Sequence, residues 1–189
     1  RNLGNMINLM SIKKEKKKGA EKGGEKKQKV PPGIIRLQKD LSGIDIDGSN
    51  MSIRYPNPDV ISNFEITLIP QDGLYKGGTF LFTFDVSPIN YPHEVPKVKC
   101  ATKVYHPNID FDGNICLNIL REDWKPVLGI NHILMGLEFI FVDPNPGDPL
   151  NKEVADVMKQ NKPLFEQNVY KSMRGATIGG VEFPNHFKR

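Results

Sequence analysis

The residues best suited to chemistry in this sequence lie between Tyr105 and Leu117, in the segment YHPNIDFDGNICL. Pro107 fixes its own backbone, so the segment begins with a rigid turn rather than a strand or a helix. Asp112-Gly113 is a second turn signal, which predicts that the chain returns and brings Cys116 close to Asn108. A thiol beside a fixed side-chain amide is the minimum for acyl transfer, because the sulfur can hold an acyl group as a thioester while the amide stabilises the oxyanion.

The chain has two cysteines, Cys100 and Cys116, which form neither a disulfide framework nor a metal-ligand pattern. Cys100 ends the strand-like run PKVKC, so we expect it to be a small buried hydrophobe. A buried structural role is also the commoner one for a cysteine such as Cys116, but the segment around it favours a nucleophile. We predict no metal site.

Positive charge is concentrated at the N-terminus. Residues 1–30 hold ten Lys or Arg and three Glu, a net charge of +7, whereas the remaining residues hold sixteen Lys or Arg and nineteen Asp or Glu, a net charge of −3. A nucleic-acid-binding domain would carry a basic face with aromatic residues that stack on bases. The basic segment has no aromatic residue, so we expect no nucleic-acid partner and interpret residues 13–29 as a solvated, disordered tether.

The chain divides into three regions by composition. We expect residues 1–5 to be a vector-derived extension ahead of a native start at Met6. Residues 6–30 combine an apolar cluster, Met6–Ile12, with the basic tether; the cluster is either a frayed end or a docking arm, and its exposed apolar side chains favour the arm. Residues 31–189 form one folded domain. No apolar run could span a bilayer and no signal peptide is evident, so we expect an intracellular protein without a membrane partner.

Periodicity in the folded domain predicts a helix, a set of strands and further helices. A short first helix is expected over Ile34–Leu41, where apolar residues recur at helical spacing. Alternating apolar residues and intervening turn signals predict an antiparallel meander. Its strands are Met51–Tyr55, Phe64–Ile69, Thr79–Val86 and Val98–Thr102. A buried helix follows, with apolar residues at Ile130, Ile133, Leu134, Leu137 and Phe141. After the proline-rich stretch 143–149, a helix capped by Asn151 and another helix near Leu164–Met173 complete the domain.

The segment from Tyr105 to Leu117 resembles the active-site signature of the ubiquitin-conjugating (E2) enzymes, and it matches that signature at each of its defined positions. The order of elements also resembles the UBC fold of that family, over roughly residues 34–184. The resemblance implies an α+β fold with an N-terminal helix, a four-stranded antiparallel meander, an active-site loop and C-terminal helices. Residues 31–189 are then the catalytic core domain.

By this resemblance, Cys116 carries the modifier as a thioester and Asn108 donates to the oxyanion, although an asparagine here could instead cap its own turn. Asp148 lies 32 residues beyond Cys116, at the family's acidic position facing the cysteine. Its carboxylate could orient an acceptor lysine and help it lose a proton, or it could be a solvent-facing charge near a helix start. Many relatives carry a second acid where this chain has Gly147, so we expect a more mobile loop.

The resemblance assigns structural and partner-binding roles to other residues. Tyr105, His106, Pro107 and Leu150 support the site, and His106 braces the loop by hydrogen bonds rather than acting as a base. Pro92 and His93 in one loop, and Lys125, Pro126 and Val127 in another, resemble the surfaces that contact the activating enzyme (E1) and RING-type ligases (E3). Ubiquitin-specific members often have Phe at the position of His93, so we expect a different set of partners unless this is only a solvated loop histidine.

The apolar arm, the tether and the run from Cys116 to Leu128 together resemble the neddylation branch of the family, whose members conjugate the cullin modifier NEDD8. In that branch the arm docks on the cognate E1 and an acetylated initiator methionine enters a pocket on a co-ligase. Leu9, Met10 and Ile12 stand at the anchor positions, although an aromatic residue is usual at Met10. An extension ahead of Met6 would prevent its acetylation and the co-ligase contact.

The expected function is therefore transfer of a ubiquitin-like modifier, NEDD8 in the first instance, from its E1 to lysines on cullins, with a RING-type E3 and a co-ligase. No cofactor is expected, since ATP is used by the E1, and we expect the protein in the cytoplasm and nucleus. Two alternatives stay open: an E2 for ubiquitin or another modifier, and a non-catalytic module that binds ubiquitin-like proteins. Cys116 argues against the second, because such a module would lack it.

Replacing Leu9, Met10 and Ile12 together by Ala should slow charging by the cognate E1 about tenfold or more. Burial of one such side chain contributes on the order of 1.5–3 kcal/mol, less the cost of ordering the peptide. Charging kinetics check this, with neutralised tether lysines as the control, which should matter mainly at low salt. Wild-type kinetics for the triple variant would mean that the arm is only a tail.

Overall fold

The computed structural model describes residues 29–44, 46 and 50–187, and the positions of the docking residues Leu9, Met10 and Ile12 lie outside them. One helix precedes a four-stranded sheet, and three helices and a small hairpin follow it. The elements are α1 (Pro32–Ser42), β1 (Met51–Arg54), β2 (Asn63–Leu68), β3 (Phe80–Asp85), β4 (Lys97–Cys100), a 3₁₀ turn (Asn118–Leu120), α2 (Ile130–Val142), α3 (Lys152–Gln160), α4 (Lys162–Ser172), β5 (Thr177–Ile178) and β6 (Val181–Glu182).

The predicted meander is confirmed. The strands lie in the order β1-β2-β3-β4 and every neighbouring pair is antiparallel, with Phe64 opposite Phe84 and Phe82 opposite Cys100. The alternating residues Phe80, Phe82 and Phe84 are all buried, as one face of a half-buried strand requires. The strand ends differ from the prediction by one or two residues; β2 and β4 begin one residue earlier because Asn63 and Lys97 both pair with Asp85.

Helix α2 supplies much of the core that faces this sheet. Its five predicted apolar positions are buried, and Ile140 joins them. The Phe141 ring stacks on Phe80 with 4.3 Å between ring centroids and meets the edge of Phe82. Each side chain buried in this way contributes about 1.5–3 kcal/mol to folding. The opposite face of α2 leaves Met135 and Phe139 exposed to solvent.

The first helix is longer than predicted, because Pro31 and Pro32 begin it rather than precede it. Pro32 lies in the first turn, where a missing N–H costs nothing. Arg36 then reaches across to the loop after the 3₁₀ turn, where it donates to the carbonyl oxygens of Pro126 (3.0 Å) and Leu128 (2.7 Å). The helix therefore fixes the backbone of that loop.

Two asparagines cap the helices that follow the active-site region. The Asn151 side chain accepts a hydrogen bond from the N–H of Val154, which confirms the predicted cap of α3. Asn161 ends that helix and caps α4 in the same way. The hairpin β5–β6 was not predicted, although Gly179-Gly180 between the β-branched residues Ile178 and Val181 is a two-residue hairpin signal. Among the described residues, no helix is long and apolar enough to cross a membrane.

The turn before Cys116 depends on a glycine in a left-handed conformation. Gly113 has φ of +80°, its carbonyl oxygen accepts from the N–H of Cys100 at 2.9 Å, and a Cβ there would lie 2.1 Å from the Cys100 carbonyl oxygen. The turn therefore needs glycine both for its backbone angle and for its close approach to β4.

Gly113→Ala should destabilise the protein by about 1–3 kcal/mol more than Gly180→Ala does. Gly180 is a matched control because its φ is +81° but nothing lies within 4 Å of an added Cβ. Both variants bear the left-handed cost of roughly 1–2 kcal/mol, and only the first must also displace backbone. Urea denaturation measures the difference; equal losses of stability would contradict the close approach at Gly113.

Candidate active site

A buried histidine holds the turn that begins the site. The Nε2 of His106 is 2.9 Å from the carbonyl oxygen of Ile140, and its Nδ1 accepts a hydrogen bond from the N–H of Asn108 at 2.9 Å. An acceptor at Nδ1 places the proton on Nε2, which donates to Ile140. Burial lowers the pKa of His106 to about 4, so the ring is neutral at pH 7. Both nitrogens are committed to the backbone, and neither is placed to take a proton from Cys116.

Neighbouring residues tie the same turn to Tyr75 and to helices α3 and α4. The carbonyl oxygen of Tyr105 accepts a hydrogen bond from the hydroxyl of Tyr75 at 2.7 Å. The hydroxyl of Tyr105 accepts one from the side chain of Asn168 at 3.2 Å. The carbonyl oxygen of Pro107 accepts from the N–H of Asn151, at the start of α3. Leu150 differs from the other predicted supporting residues, Tyr105, His106 and Pro107, since 40% of its surface is exposed and it does not pack in the core.

Asn108 connects the turn to the loop between α2 and α3. Its side-chain amide donates to the carbonyl oxygens of Asn145 (2.7 Å) and Asp148 (3.3 Å), and its Oδ1 accepts from the N–H of Asn145 (2.9 Å). Its carbonyl oxygen accepts from the N–H of Cys116 at 2.8 Å, which confirms the predicted return of the chain. The side chain bonds this second loop and not its own turn. An amide hydrogen could reach an oxyanion only by leaving one of these carbonyls.

The thiol of Cys116 lies between a carboxylate and a guanidinium. Its Sγ is 3.1 Å from Oδ2 of Asp148 and 2.8 Å from Nη2 of Arg121. Burial raises the pKa of the Cys116 thiol, the hydrogen bond to Asp148 raises it further, and Arg121 opposes both effects. Cys116 is therefore held mainly as a thiol at neutral pH, with its hydrogen directed at a carboxylate.

The other cysteine has a different environment. Cys100 is 5% exposed in the core, and its thiol donates to the carbonyl oxygen of Thr102 at 3.1 Å. Burial raises the pKa of Cys100 to about 12, so it is not a nucleophile at neutral pH. The prediction that Cys100 is a buried hydrophobe is confirmed.

Asp148 reaches the thiol from the loop after α2. The hydrogen bonds to Cys116 and Arg121 hold the pKa of its carboxyl below the usual value, so it is ionised at neutral pH. Gly147 donates its N–H to the side chain of Asn145 at 2.8 Å, which gives the loop an internal support in place of a second acid. The loop thus presents one carboxylate to the sulfur.

The sequence did not indicate that Arg121 belongs to the site. It directly follows the 3₁₀ turn Asn118–Leu120, and its N–H bonds the carbonyl oxygen of Asn118. One signal was available: Arg121 is a cation five residues after Cys116. The segment between Cys116 and Pro126 is too short for a full helix, which favours a short 3₁₀ turn. Such a turn brings the arginine back beside the sulfur.

The sulfur opens onto a cleft of about 280 Å³, large enough to receive an extended peptide end but not to enclose a folded ligand. The cleft is polar on the side of the loop and apolar on the side of α2. Its lining includes Asn108, Cys116, Ile119, Phe139, Asn145 and Asp148. The structure therefore brings together Cys116, Asn108 and Asp148, the three residues that the sequence selected for chemistry.

The two predicted partner-binding loops lie side by side. The indole N–H of Trp124 donates to the carbonyl oxygen of Pro92 at 2.8 Å, which joins the loop of Pro92 and His93 to the following one. Lys125, Pro126 and Val127 are exposed there, and Val127 is 78% exposed. Because Arg36 of α1 also bonds the backbone of the second loop, the two loops and α1 form one continuous surface.

Comparisons with known proteins agree with this geometry. The family described as "Ubiquitin-conjugating enzyme" matches residues 36–173. The chain is 51% identical to the Nedd8-conjugating enzyme UbcE2M of Drosophila melanogaster, over 94% of this chain and 97% of the relative. It is 51% identical to the NEDD8-conjugating enzyme Ubc12 of Arabidopsis thaliana, over 95% and 98% of the two chains.

A solved structure shows the same fold. The chain superposes on S. cerevisiae Ubc12 with a TM-score of 0.77 and 37% sequence identity, over 85% of this chain and 89% of that one. The predicted α+β UBC fold is confirmed. With the Cys116 thiol lining the cleft and these similarities along nearly its whole length, the chain belongs to the ubiquitin-conjugating (E2) enzyme family, whose members are transferases that form a thioester intermediate.

Proposed function

We propose that this E2 enzyme accepts NEDD8 from its activating enzyme as a thioester on Cys116 and transfers it to lysines. The observation that carries the proposal is the similarity to enzymes named for NEDD8 conjugation, which spans 94% or more of this chain and 97% or more of theirs. Cys116 is the thiol placed for the chemistry, because it lines the cleft, whereas Cys100 packs in the hydrophobic core.

Charging is an exchange of thioesters. The Cys116 thiol loses its proton, its sulfur attacks the carbonyl carbon of the incoming thioester, and the bond from that carbon to the E1 sulfur breaks. The departing E1 thiolate takes up a proton, so one thioester replaces another without net oxidation. Asp148 lies where the thiol proton points, but its low pKa makes it a weak base. The reaction requires no cofactor on this chain, since ATP is consumed earlier by the E1.

In the transfer to lysine, Cys116 is the leaving group and an amine is the attacking group. A neutral amine attacks the thioester carbonyl, an oxyanion develops, and Cys116 leaves as a thiolate that regains a proton. We assign the oxyanion to the side-chain amide of Asn108, which must first release Asn145 or Asp148. We assign the acceptor amine to the Asp148 carboxylate, which orients it and favours loss of its proton through solvent.

The partners that we propose are a RING-type ligase, a co-ligase and cullin substrates. The surface of Pro92, His93 and Lys125–Val127 is suited to a ligase, because it presents exposed apolar residues on a backbone fixed by Arg36 and Trp124. The arm residues Leu9, Met10 and Ile12 are assigned to the E1. We propose that the protein acts in the cytoplasm and nucleus.

The test is to incubate the protein with ATP and each modifier in turn, together with the matching E1, and to follow adducts on non-reducing gels. NEDD8 should give a reducible adduct at least tenfold faster than ubiquitin. Efficient charging with ubiquitin alone would overturn the choice of modifier. Absence of any adduct would support a non-catalytic binding module instead.

Variants of the two cysteines locate the adduct. Cys116→Ser should lose the reducible thioester and form at most a slowly cleaved oxyester, since an alkoxide leaves less readily than a thiolate. Cys100→Ser should still charge, because its sulfur is buried against Thr102. A reducible adduct on Cys116→Ser would place the nucleophile elsewhere.

A further inference from the structure

One cation is in direct contact with both reacting groups of the site. Nη2 of Arg121 is 2.8 Å from the sulfur of Cys116 and 3.1 Å from Oδ2 of Asp148. Every side-chain hydrogen bond of Asp148 among the described residues falls on Oδ2, none on Oδ1. The guanidinium and the thiol thus fix one carboxylate oxygen and leave the other toward solvent.

The pair contributes little to folding. The side chain of Arg121 is 45% exposed and that of Asp148 is 69% exposed, so water and salt screen their attraction. Exposed pairs of this kind contribute little to stability. Two exposed residues 27 positions apart meet on the sulfur with little gain in stability, which points to a role in the reaction.

We propose that Arg121 is a positioning residue for transfer to lysine: its guanidinium holds Oδ2 of Asp148 beside Cys116, so that Oδ1 is presented to the acceptor ammonium. This inference rests on the proposed function, because it concerns the step in which an amine attacks the thioester. It assigns Arg121 no contact with the acceptor and no proton transfer.

Arg121 becomes important once Cys116 carries the modifier as a thioester. In the free enzyme the thiol hydrogen of Cys116 also holds Oδ2 of Asp148. Once the sulfur is acylated that hydrogen is gone, and Arg121 is the remaining side chain among the described residues that binds this carboxylate. Without it, the carboxylate of an exposed loop would sample many orientations, and productive alignment of the amine would become rare.

The contact between Arg121 and Cys116 can be tested through the pKa of Cys116, which an arginine with only a structural role would not change. Arg121 lowers the pKa of Cys116 in the free enzyme, so its loss should raise that pKa. Below the pKa the thiolate fraction falls as the pKa rises, so alkylation of Cys116 by iodoacetamide at neutral pH should slow. Its pH profile should move toward higher pH in Arg121→Ala and much less in Arg121→Lys.

The decisive experiment compares discharge of charged enzyme to free lysine and to hydroxylamine, a nucleophile that is uncharged at neutral pH. Arg121→Ala should slow discharge to lysine roughly tenfold more than discharge to hydroxylamine, because only lysine must be held as an ammonium and deprotonated. Arg121→Lys should recover part of the loss. Glu122→Gln is the control, since Glu122 is the other carboxylate near this guanidinium, 3.8 Å from its Nε.

A double variant tests whether Arg121 acts through Asp148. Arg121→Ala combined with Asp148→Ala should discharge to lysine no more slowly than Asp148→Ala alone. Additive losses, or equal losses with both nucleophiles, would overturn the proposal. Because every variant is charged before discharge begins, failure of the wild type to charge would reject the proposed function, whereas normal charging with an unimpaired Arg121→Ala would reject this inference alone.

Discussion

The hydrogen bonds of Asn108 join three segments of the chain, and the arrangement around Cys116 follows from them. Its side chain bonds the backbone of Asn145 in both directions and also the carbonyl oxygen of Asp148, while its own carbonyl holds the N–H of Cys116. The side chain is 3% exposed, so each of these polar groups would be costly without its partner. His106 fixes the start of this network by bonding the N–H of Asn108 and the end of α2. Asn108 therefore bonds the loop that carries Asp148 at two of its residues, and we take it as the main link between that loop and Cys116.

The charges at the site suit an exchange reaction better than base catalysis. His106 is buried and neutral, and Asp148 is a weak base, so no group in the described site is tuned to remove a proton near pH 7. The raised pKa of Cys116 keeps most of the enzyme as thiol at neutral pH. Thioester exchange tolerates this, because the incoming carbonyl is already activated. The acceptor amine is not activated, and it is the reactant to which we assign the carboxylate of Asp148.

Local patterns predicted the fold better than they predicted the contacts of the site. The alternation of Phe80, Phe82 and Phe84 and the spacing along α2 identified the two faces of the core, because burial repeats along a strand or helix. The hydrogen-bond partners of the Asn108 side chain lie 37 and 40 residues away in the sequence. They are backbone atoms, so the residue types at those positions do not identify them. Arg121 was missed for the same reason: its role depends on the direction of a turn. Asp148 was identified by family resemblance, and the structure supplied its distance from the sulfur.

The claim that Asn108 positions the catalytic loop can be tested by amide hydrogen exchange on Asn108→Ala and wild type. We predict that peptides covering 143–151 exchange about fivefold faster in the variant, since the N–H of Asn145 loses its acceptor and a hydrogen bond contributes about 1 kcal/mol. Peptides within 133–141 of α2 should exchange at the wild-type rate, which separates release of the loop from general loss of stability. Unchanged exchange across 143–151 would contradict the account, because the loop would then hold Asp148 in place without Asn108.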